Sequence, residues 1–334
     1  MKRILLILAI IVSLGGLMAQ MQDTIKPVYA WSSFMGCVKA CSDNLGCGHS
    51  ADWLYGVTGY AFILNIHPVV CPSGPTAFDN SFLIGNAGAL GLDFDTMNFG
   101  KWEQGFEQKQ KEAHAKVLKA LDAGIPTFGW ELALPEYYLI AGTDSMGYLF
   151  FDMDRQIKHC PWENLGISEI GMVEIHSLSR LTMENEPLLQ VRSALQFLGE
   201  YHSDPLKYAL EGYTQGTAGY DVWIEAMRSG ETDPFGLPFN ARVWHEARSH
   251  AVGFLKEIKF KLGENLDYSS LDEAIKCYGE VVASLEEICN IYPFPATEGD
   301  LTPENATRTI ELLREAKNSE LKGVSHLLEF AGQL

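Results

Sequence analysis

The chain has 334 residues, 47% of them hydrophobic, and a formal net charge of −18 at pH 7. A chain of this length can bury two modest hydrophobic cores, which favours two domains. Nucleic acid and anionic membrane surfaces are excluded as partners, because binding them needs clustered Lys and Arg, and the sequence has no such cluster. The acidic excess favours solubility, or attraction of a cationic substrate as a weaker alternative.

Residues 1–19 form a segment of their own. Lys2 and Arg3 precede an apolar run from Ile4 to Leu14, and Gly15-Gly16-Leu17-Met18-Ala19 follows. This pattern predicts an export signal that is removed after Ala19, so that the mature, secreted chain begins near Gln20. The apolar run is shorter than the ~20 residues that a comfortable membrane span needs. An uncleaved N-terminal anchor is the open alternative, and only in that case do we expect contact with a membrane.

Export would place the seven cysteines in a compartment where disulfides persist. An odd number leaves at least one thiol unpaired, and the sequence does not choose among the possible pairings of the others. No CxxC pair occurs. We therefore predict neither a metal site nor any other cofactor.

The first predicted elements are helical. A helix is expected from Cys37 to Leu45, where Gly46 ends it, and Ser50 is the expected cap of a second helix over 51–55. The glycine-rich stretch 85–91 is predicted to be a loop. The apolar spacing over 102–121 then predicts a longer helix.

Alternating patterns follow, and they predict strands at 127–132, 137–141, 148–152 and 172–176. Helices followed by a meander of strands indicate an α+β domain. After Glu186 almost every apolar pattern has a helical period. We therefore predict an α+β domain over 20–180 and an α-helical domain over 186–334.

The chemistry-bearing residues come in a definite order. Cys37 follows Gly36 at the predicted start of a helix, where free backbone N–H groups and the helix dipole favour a thiolate. Much later, Glu136 and Asp152 lie at the ends of two neighbouring predicted strands. A cysteine that opens a helix, followed by a strand pair with polar ends, is the layout of papain-like cysteine enzymes.

Four short segments make the resemblance closer: Gly36-Cys37, residues 53–62, residues 124–130 and residues 137–152. Together they resemble the butirosin-biosynthesis acyltransferase N-terminal family, over roughly residues 31–180. That family is similar to the papain-like leader peptidases that process bacteriocins. The resemblance implies a papain-like domain, a cysteine nucleophile, and amide hydrolysis or acyl transfer on a small amide, peptide or acyl substrate.

By the same resemblance, Asp152 occupies the position of the acid that orients the base, and Glu136 occupies the position of the base, where the family has histidine. A carboxylate next to a thiol raises the thiol's pKa, whereas an imidazolium lowers it, so Glu136 is a poor activator of Cys37. A protonated Glu136 could instead donate to a substrate carbonyl. Alternatively, both carboxylates cap the hairpin at the surface. A hairpin whose paired residue numbers sum to 288 or 289 would bring them to the same end of the sheet.

Other residues keep alternatives open. Cys47 is the rival nucleophile, and His49, His67, His159 and His176 are each expected to be structural or exposed. A polar face of one predicted C-terminal helix either faces the first domain or is solvated; it carries Asn240, Trp244, Glu246 and Arg248. Five aromatic residues either line a substrate cleft or pack in the core: Trp53, Phe62, Trp130, Tyr137 and Tyr138.

The sequence thus favours a Cys37-dependent amide hydrolase or acyltransferase that Asp152 assists by orienting a base. A non-catalytic relative that binds a small ligand in the former active-site cleft is the main alternative, and Glu136 at the expected histidine position favours it. A purely structural exported protein is a third interpretation.

Overall fold

The structure, a computed structural model, describes residues 20–21, 25–295 and 297–334. The predicted export signal lies outside the described residues. Within them, no helix is both long enough and apolar enough to cross a membrane.

The chain forms two compact units. The first comprises the described residues of 1–27 together with 95–177, and the second comprises 28–94 together with 178–334. The sequence prediction divided the chain near residues 180–186 instead. The two divisions differ in where they place the helices between residues 28 and 94. These helices pack in one unit with the C-terminal helices, although the strands lie between the two groups in the sequence.

The first unit is built on a sheet whose neighbouring strands follow the order β3-β8-β4-β5-β6-β7, with β1 paired to the end of β5. Strand β4 pairs antiparallel with β5 and β8, and β6 pairs antiparallel with β5 and β7. The strands are β1 Gln20–Met21, β3 Leu92–Gly100, β4 Thr127–Trp130, β5 Tyr137–Asp144, β6 Gly147–Phe151, β7 Ile157–Pro161 and β8 Met172–Arg180, the ends of β3 and β8 lying beyond the limits of this unit.

One face of this sheet packs on helix α4 (Phe106–Asp122). Residues of a strand alternate between the two faces, so every second residue points toward the helix. The resulting core includes Val117 of α4 and Ile140, Phe150 and Ile175 of the strands, each no more than 2% exposed. The opposite face carries a different set of side chains, which includes His176.

The second unit is helical apart from the two-residue strands β2 (Asn65–Ile66) and β9 (Thr214–Gln215), which pair with each other, and the end segments of β3 and β8. Its α-helices are α1 Ser33–Asn44, α2 Ala51–Thr58, α3 Ser81–Ala87, α5 Pro187–Ser203, α6 Ala218–Ser229, α7 Gly236–Leu262, α8 Ser269–Ile291 and α9 Pro303–Ala331.

The core of the second unit joins helices that are far apart in the sequence. The ring centroids of Trp53 on α2 and Phe254 on α7 are 5.0 Å apart. A Cβ atom at Gly56 would lie 2.0 Å from the Phe254 ring, so only glycine lets α2 approach α7 this closely. Phe62 packs edge-on against Tyr278 of α8, which extends the same core.

The mixed helix-and-sheet architecture predicted from the sequence is confirmed. The main sheet lies within residues 20–180, and the helices and strands described after residue 186 are all helices except for β9. The predicted loop at 85–91 is wrong for its first residues, because α3 continues to Ala87 before a short 3-10 turn.

Candidate functional site

Cys37 lies inside α1 rather than at its first residue. The helix begins at Ser33, its N-cap is Ser32, and the Ser32 Oγ accepts a hydrogen bond from the Met35 N–H at 3.4 Å. The Gly36 N–H already bonds to the Ser32 carbonyl at 2.9 Å, so the regular helical pattern has begun before Cys37. The prediction that Cys37 opens the helix is therefore wrong, and the free N–H groups of the helix start belong to earlier residues.

The N-terminal end of α1 is held by a carboxylate from α7. Glu246 accepts the backbone N–H of Trp31 at 2.8 Å and that of Ser32 at 3.2 Å. The Tyr55 hydroxyl donates to the same carboxylate at 2.7 Å. A negative charge at a helix N-terminus is stabilising, so these bonds fix where α1 begins and, with it, where Cys37 lies in the second unit.

The Cys37 side chain is buried, with 6% of its surface exposed. No disulfide joins the seven cysteines, all of which lie in the described part of the chain. The rival nucleophile Cys47 lies after α1, three residues before the cap of α2. Burial raises the pKa of its thiol, and the nearby Arg180 only partly offsets this. Cys47 is thus poorly suited to form a thiolate near neutral pH.

Asp152 closes the turn between β6 and β7. Its Oδ1 accepts the backbone N–H groups of Asp154 at 2.9 Å and Gln156 at 2.8 Å, and its Oδ2 lies 3.6 Å from Lys158 Nζ. These bonds are those of an aspartate that shapes a turn. Asp152 thus stabilises the turn between β6 and β7, a structural role that does not require a histidine partner.

Glu136 lies directly before β5, in the turn that follows β4. Its carbonyl accepts the Glu131 N–H at 2.8 Å, and its own N–H donates to Leu134. The register of β5 with β6 differs from the expected sums of 288 or 289. Ile140 pairs with Phe150, and beyond a bulge Gly142 pairs with Leu149.

A polar cluster that the sequence analysis did not select lies on the face of the sheet opposite α4 in the first unit. His176 is fully buried, and its Nε2 lies 2.8 Å from Oε1 of Glu174. The His176 Nδ1 shares a hydrogen bond with the Thr96 hydroxyl at 2.9 Å. The Tyr137 hydroxyl donates to Glu174 Oε2 at 2.8 Å.

Sheet geometry explains why these groups meet. Glu174 and His176 are two residues apart on β8 and therefore share a face. His176 pairs with Phe128, and Trp130 pairs with Tyr137, so the registers bring all of these side chains to that face. The signal was present in the sequence as two polar residues alternating with Val173 and Ile175. A strand with one apolar face and one ionisable face is unusual when both faces are buried.

The five predicted substrate-binding aromatics do not form one set. Trp53 donates its indole N–H to Gln190 Oε1 at 2.5 Å and, like Phe62, belongs to the helical core of the second unit. Tyr138 belongs to the core beneath α4. Trp130 and Tyr137 share the face of His176, with ring centroids 5.0 Å apart. Trp53, Phe62 and Tyr138 therefore pack in hydrophobic cores, as the alternative interpretation expected.

The polar residues of α7 are also engaged within the second unit. Asn240 is fully buried and donates to the carbonyls of Cys71 and Gly236, at 3.0 Å and 2.9 Å. Arg248 is fully buried and forms a two-bond ion pair with Glu320 of α9, at 3.0 Å and 2.7 Å. The alternative of a solvated helix face is therefore wrong for these residues.

In the described parts of the chain, no group of three or more His, Cys, Asp or Glu side chains could hold a metal ion. Comparisons with models of known protein families and with curated proteins find no match.

Proposed function

We propose that the chain is a papain-like, cysteine-dependent amide hydrolase or acyltransferase that acts on a small amide, peptide or acyl substrate. The observation that carries the proposal is the histidine–carboxylate pair of His176 and Glu174, clamped by the Tyr137 and Thr96 hydroxyls. The segments that resemble the acyltransferase family contain a cysteine but lack the family's histidine. A buried histidine with a carboxylate partner supplies the type of base that such chemistry uses.

Cys37 is the nucleophile in this proposal. Its sulfur bonds to the carbonyl carbon of the substrate, and the carbon–nitrogen bond then breaks as the leaving amine takes up a proton. Water or an acceptor amine attacks the resulting thioester, gives up a proton to a base, and releases the Cys37 thiolate. Hydrolysis and acyl transfer differ only in this second attacking group.

Within the first unit, His176 is better suited than Glu136 to accept a proton. An imidazole accepts a proton near neutral pH, and Glu174 would stabilise the imidazolium that forms. Tyr137 would keep Glu174 oriented, since its hydroxyl donates to that carboxylate. Cys37 belongs to the second unit and His176 to the first, so each residue is tested by its own variant.

Hydrolysis of short N-acyl amino acid p-nitroanilides and p-nitrophenyl acyl esters tests the proposal. Cys37→Ser and His176→Asn should each lower kcat/KM by at least about a hundredfold, because each removes a group that takes part in the reaction. Glu136→Gln and Asp152→Asn test the roles that the resemblance implies, and we expect both to keep most of the activity. Turnover that survives Cys37→Ser would refute the proposal.

Two observations favour a non-catalytic, ligand-binding protein as the second candidate. Glu136 stands where the resemblance expects histidine, and Cys37 lies beyond the free N–H groups of the helix start. This candidate predicts that small amides bind while no substrate in the panel is turned over. Binding that is unchanged in Cys37→Ser, together with absent turnover, would favour it.

A further inference from the structure

The indole of Trp130 carries a buried hydrogen-bond donor that the protein does not use. Trp130 is 5% exposed, and its Nε1–H has no hydrogen-bond partner among the described residues. Two other buried indoles have partners, since Trp53 donates to Gln190 and Trp244 donates to Asn240, whereas the indole N–H of Trp223 has none among the described residues. Buried donors are rarely left unpaired, and each exception calls for an explanation such as a missing ligand.

The surroundings of this donor are those of the His176 face. Trp130 is the last residue of β4 and pairs with Tyr137, whose ring it contacts edge-on at a centroid distance of 5.0 Å. The neighbouring Glu174 carboxylate accepts the Tyr137 hydroxyl and lies 2.8 Å from His176 Nε2. No acceptor among the described residues pairs with the indole N–H, so an acceptor from a ligand would satisfy it.

The backbone next to Trp130 is strained. Glu131 has a φ of 57°, a left-handed conformation that residues other than glycine seldom adopt. Its N–H is tied to the Glu136 carbonyl at 2.8 Å, and its carboxylate accepts the Ser168 hydroxyl at 2.7 Å. Strain of this kind persists where the surrounding structure maintains it, and it concentrates at functional sites. Here it fixes how the chain leaves β4 immediately after Trp130.

We propose that the Trp130 indole N–H binds the carbonyl oxygen of a neutral amide or ester. One donor among aromatic rings suits a single acceptor atom attached to a flat, apolar body. A carboxylate ligand is disfavoured, because Glu174 lies on the same face and like charges repel. The inference rests on the proposed function for the identity of the ligand as substrate, and it names the atom that recognises the substrate's acyl group.

Nuclear magnetic resonance of the full chain labelled with 15N-tryptophan tests the inference without requiring turnover. The Trp130 signal is identified by its loss in Trp130→Phe. Addition of N-methylacetamide should shift the Trp130 indole proton downfield in a saturable manner, and acetate at the same concentration should not. The indole signals of Trp53 and Trp223 are internal references and should stay in place.

Two results would overturn the inference. One is a Trp130 indole signal that does not move when N-methylacetamide is added, and the other is a Trp130 indole proton that still contacts water at saturating N-methylacetamide. Trp130→Phe should weaken N-methylacetamide binding by about tenfold, the value of one hydrogen bond, without lowering the melting temperature. Trp223→Phe is the matched control, because it removes another buried, unpartnered indole N–H and should leave binding unchanged. If turnover survives Cys37→Ser, the proposed function fails while this titration still decides the role of Trp130.

Discussion

Gly36 owes its identity to a single close contact. A Cβ atom at this position would lie 2.9 Å from the Val28 carbonyl oxygen and 3.3 Å from the Ala30 Cβ. The neighbour at the shorter distance is backbone, which cannot rotate away as a side chain can. The glycine before Cys37 thus lets the extended segment at Val28 and Ala30 pack against the first turn of α1.

Gly36→Ala should lower the free energy of unfolding by about 1–3 kcal/mol, the usual range for overpacking a tight site. Urea unfolding measures the effect. Gly279→Ala is the control, since nothing lies within 4 Å of its added Cβ on α8. There the substitution should stabilise the protein by about 0.5–1 kcal/mol through helix propensity. A neutral Gly36→Ala would contradict the contact.

His202 gives the stability a dependence on pH. Burial lowers the pKa of this histidine, and the nearby Arg248 lowers it too, while Glu320 opposes both effects. The unfolded chain therefore binds a proton at His202 at a higher pH than the folded chain does. The contribution of His202 to the free energy of unfolding is therefore fully present above the pKa of histidine in the unfolded chain, about 6.5. This contribution is lost as the pH falls below that value.

His202→Gln should flatten this dependence, because glutamine does not titrate. The free energy of unfolding of the two proteins, measured between pH 8 and pH 5, should converge as the pH falls. His326→Gln is the comparison, since this partly exposed residue lies outside the Arg248–Glu320 cluster. Parallel curves for His202→Gln and the unaltered protein would show that the buried imidazole does not titrate as described.

Residues whose role depends on buried contacts with distant parts of the chain are the hardest to predict from the sequence. Asp152 and Glu136 stood out because they flank predicted strands, yet Asp152 shapes a turn. His176 did not stand out, because its importance comes from Thr96 and Tyr137, which are 80 and 39 positions away in the sequence. Only the strand registers bring these groups together.

At the scale of elements, the two N-terminal helices show what local signals determine. Ser50 was predicted to cap the second helix, and it does so by accepting the Trp53 N–H at 2.9 Å. The first helix was predicted to start at Cys37, but Ser32 caps it earlier and Glu246 of α7 supports that start. A local cap is readable from the sequence, whereas a carboxylate 214 positions away is not.

Ser50→Ala should lower the free energy of unfolding by about 0.5–2 kcal/mol, the range for losing a helix cap. Chemical denaturation measures the change. Thr217→Ala is the matched control, because Thr217 is the N-cap of α6 but its side chain makes no capping hydrogen bond. We expect the control to stay within about 0.5 kcal/mol of the unaltered protein. Equal effects of the two substitutions would argue against the cap at Ser50.

On the scale of the whole molecule, the sequence predicted the fold class and the helical C-terminal region but not the way the chain divides. The sequence prediction groups segments that are neighbours along the chain. Instead, contacts such as that of Trp53 with Phe254 place residues 28–94 with the C-terminal helices. The side chains of this contact are 201 positions apart in the sequence. The spacing of apolar residues predicts local helices and strands, but it does not predict which distant side chains fit together.

The ion pair of Arg248 with Glu320 links α7 and α9 in the core of the second unit, and the Tyr220 hydroxyl of α6 donates to the same carboxylate at 2.6 Å. Glu320→Gln should destabilise the protein by about 3–5 kcal/mol, because it leaves the buried guanidinium without a countercharge. Lys317→Ala removes a partly exposed ion pair between α9 and Asp221 of α6 and should cost no more than about 1 kcal/mol. Unfolding free energies that differ little between the two variants would contradict the role of the buried pair.

The central claim is that Cys37 carries the acyl group during the reaction. Acid quenching during turnover of a p-nitrophenyl acyl ester, followed by peptide mapping with mass spectrometry, tests it most directly. We expect a thioester on Cys37, seen as a mass increase of the Cys37 peptide that corresponds to the added acyl group. In Cys37→Ser, both this thioester and turnover should be lost. An acyl group found only on other residues, or product formed equally fast by Cys37→Ser, would contradict the claim.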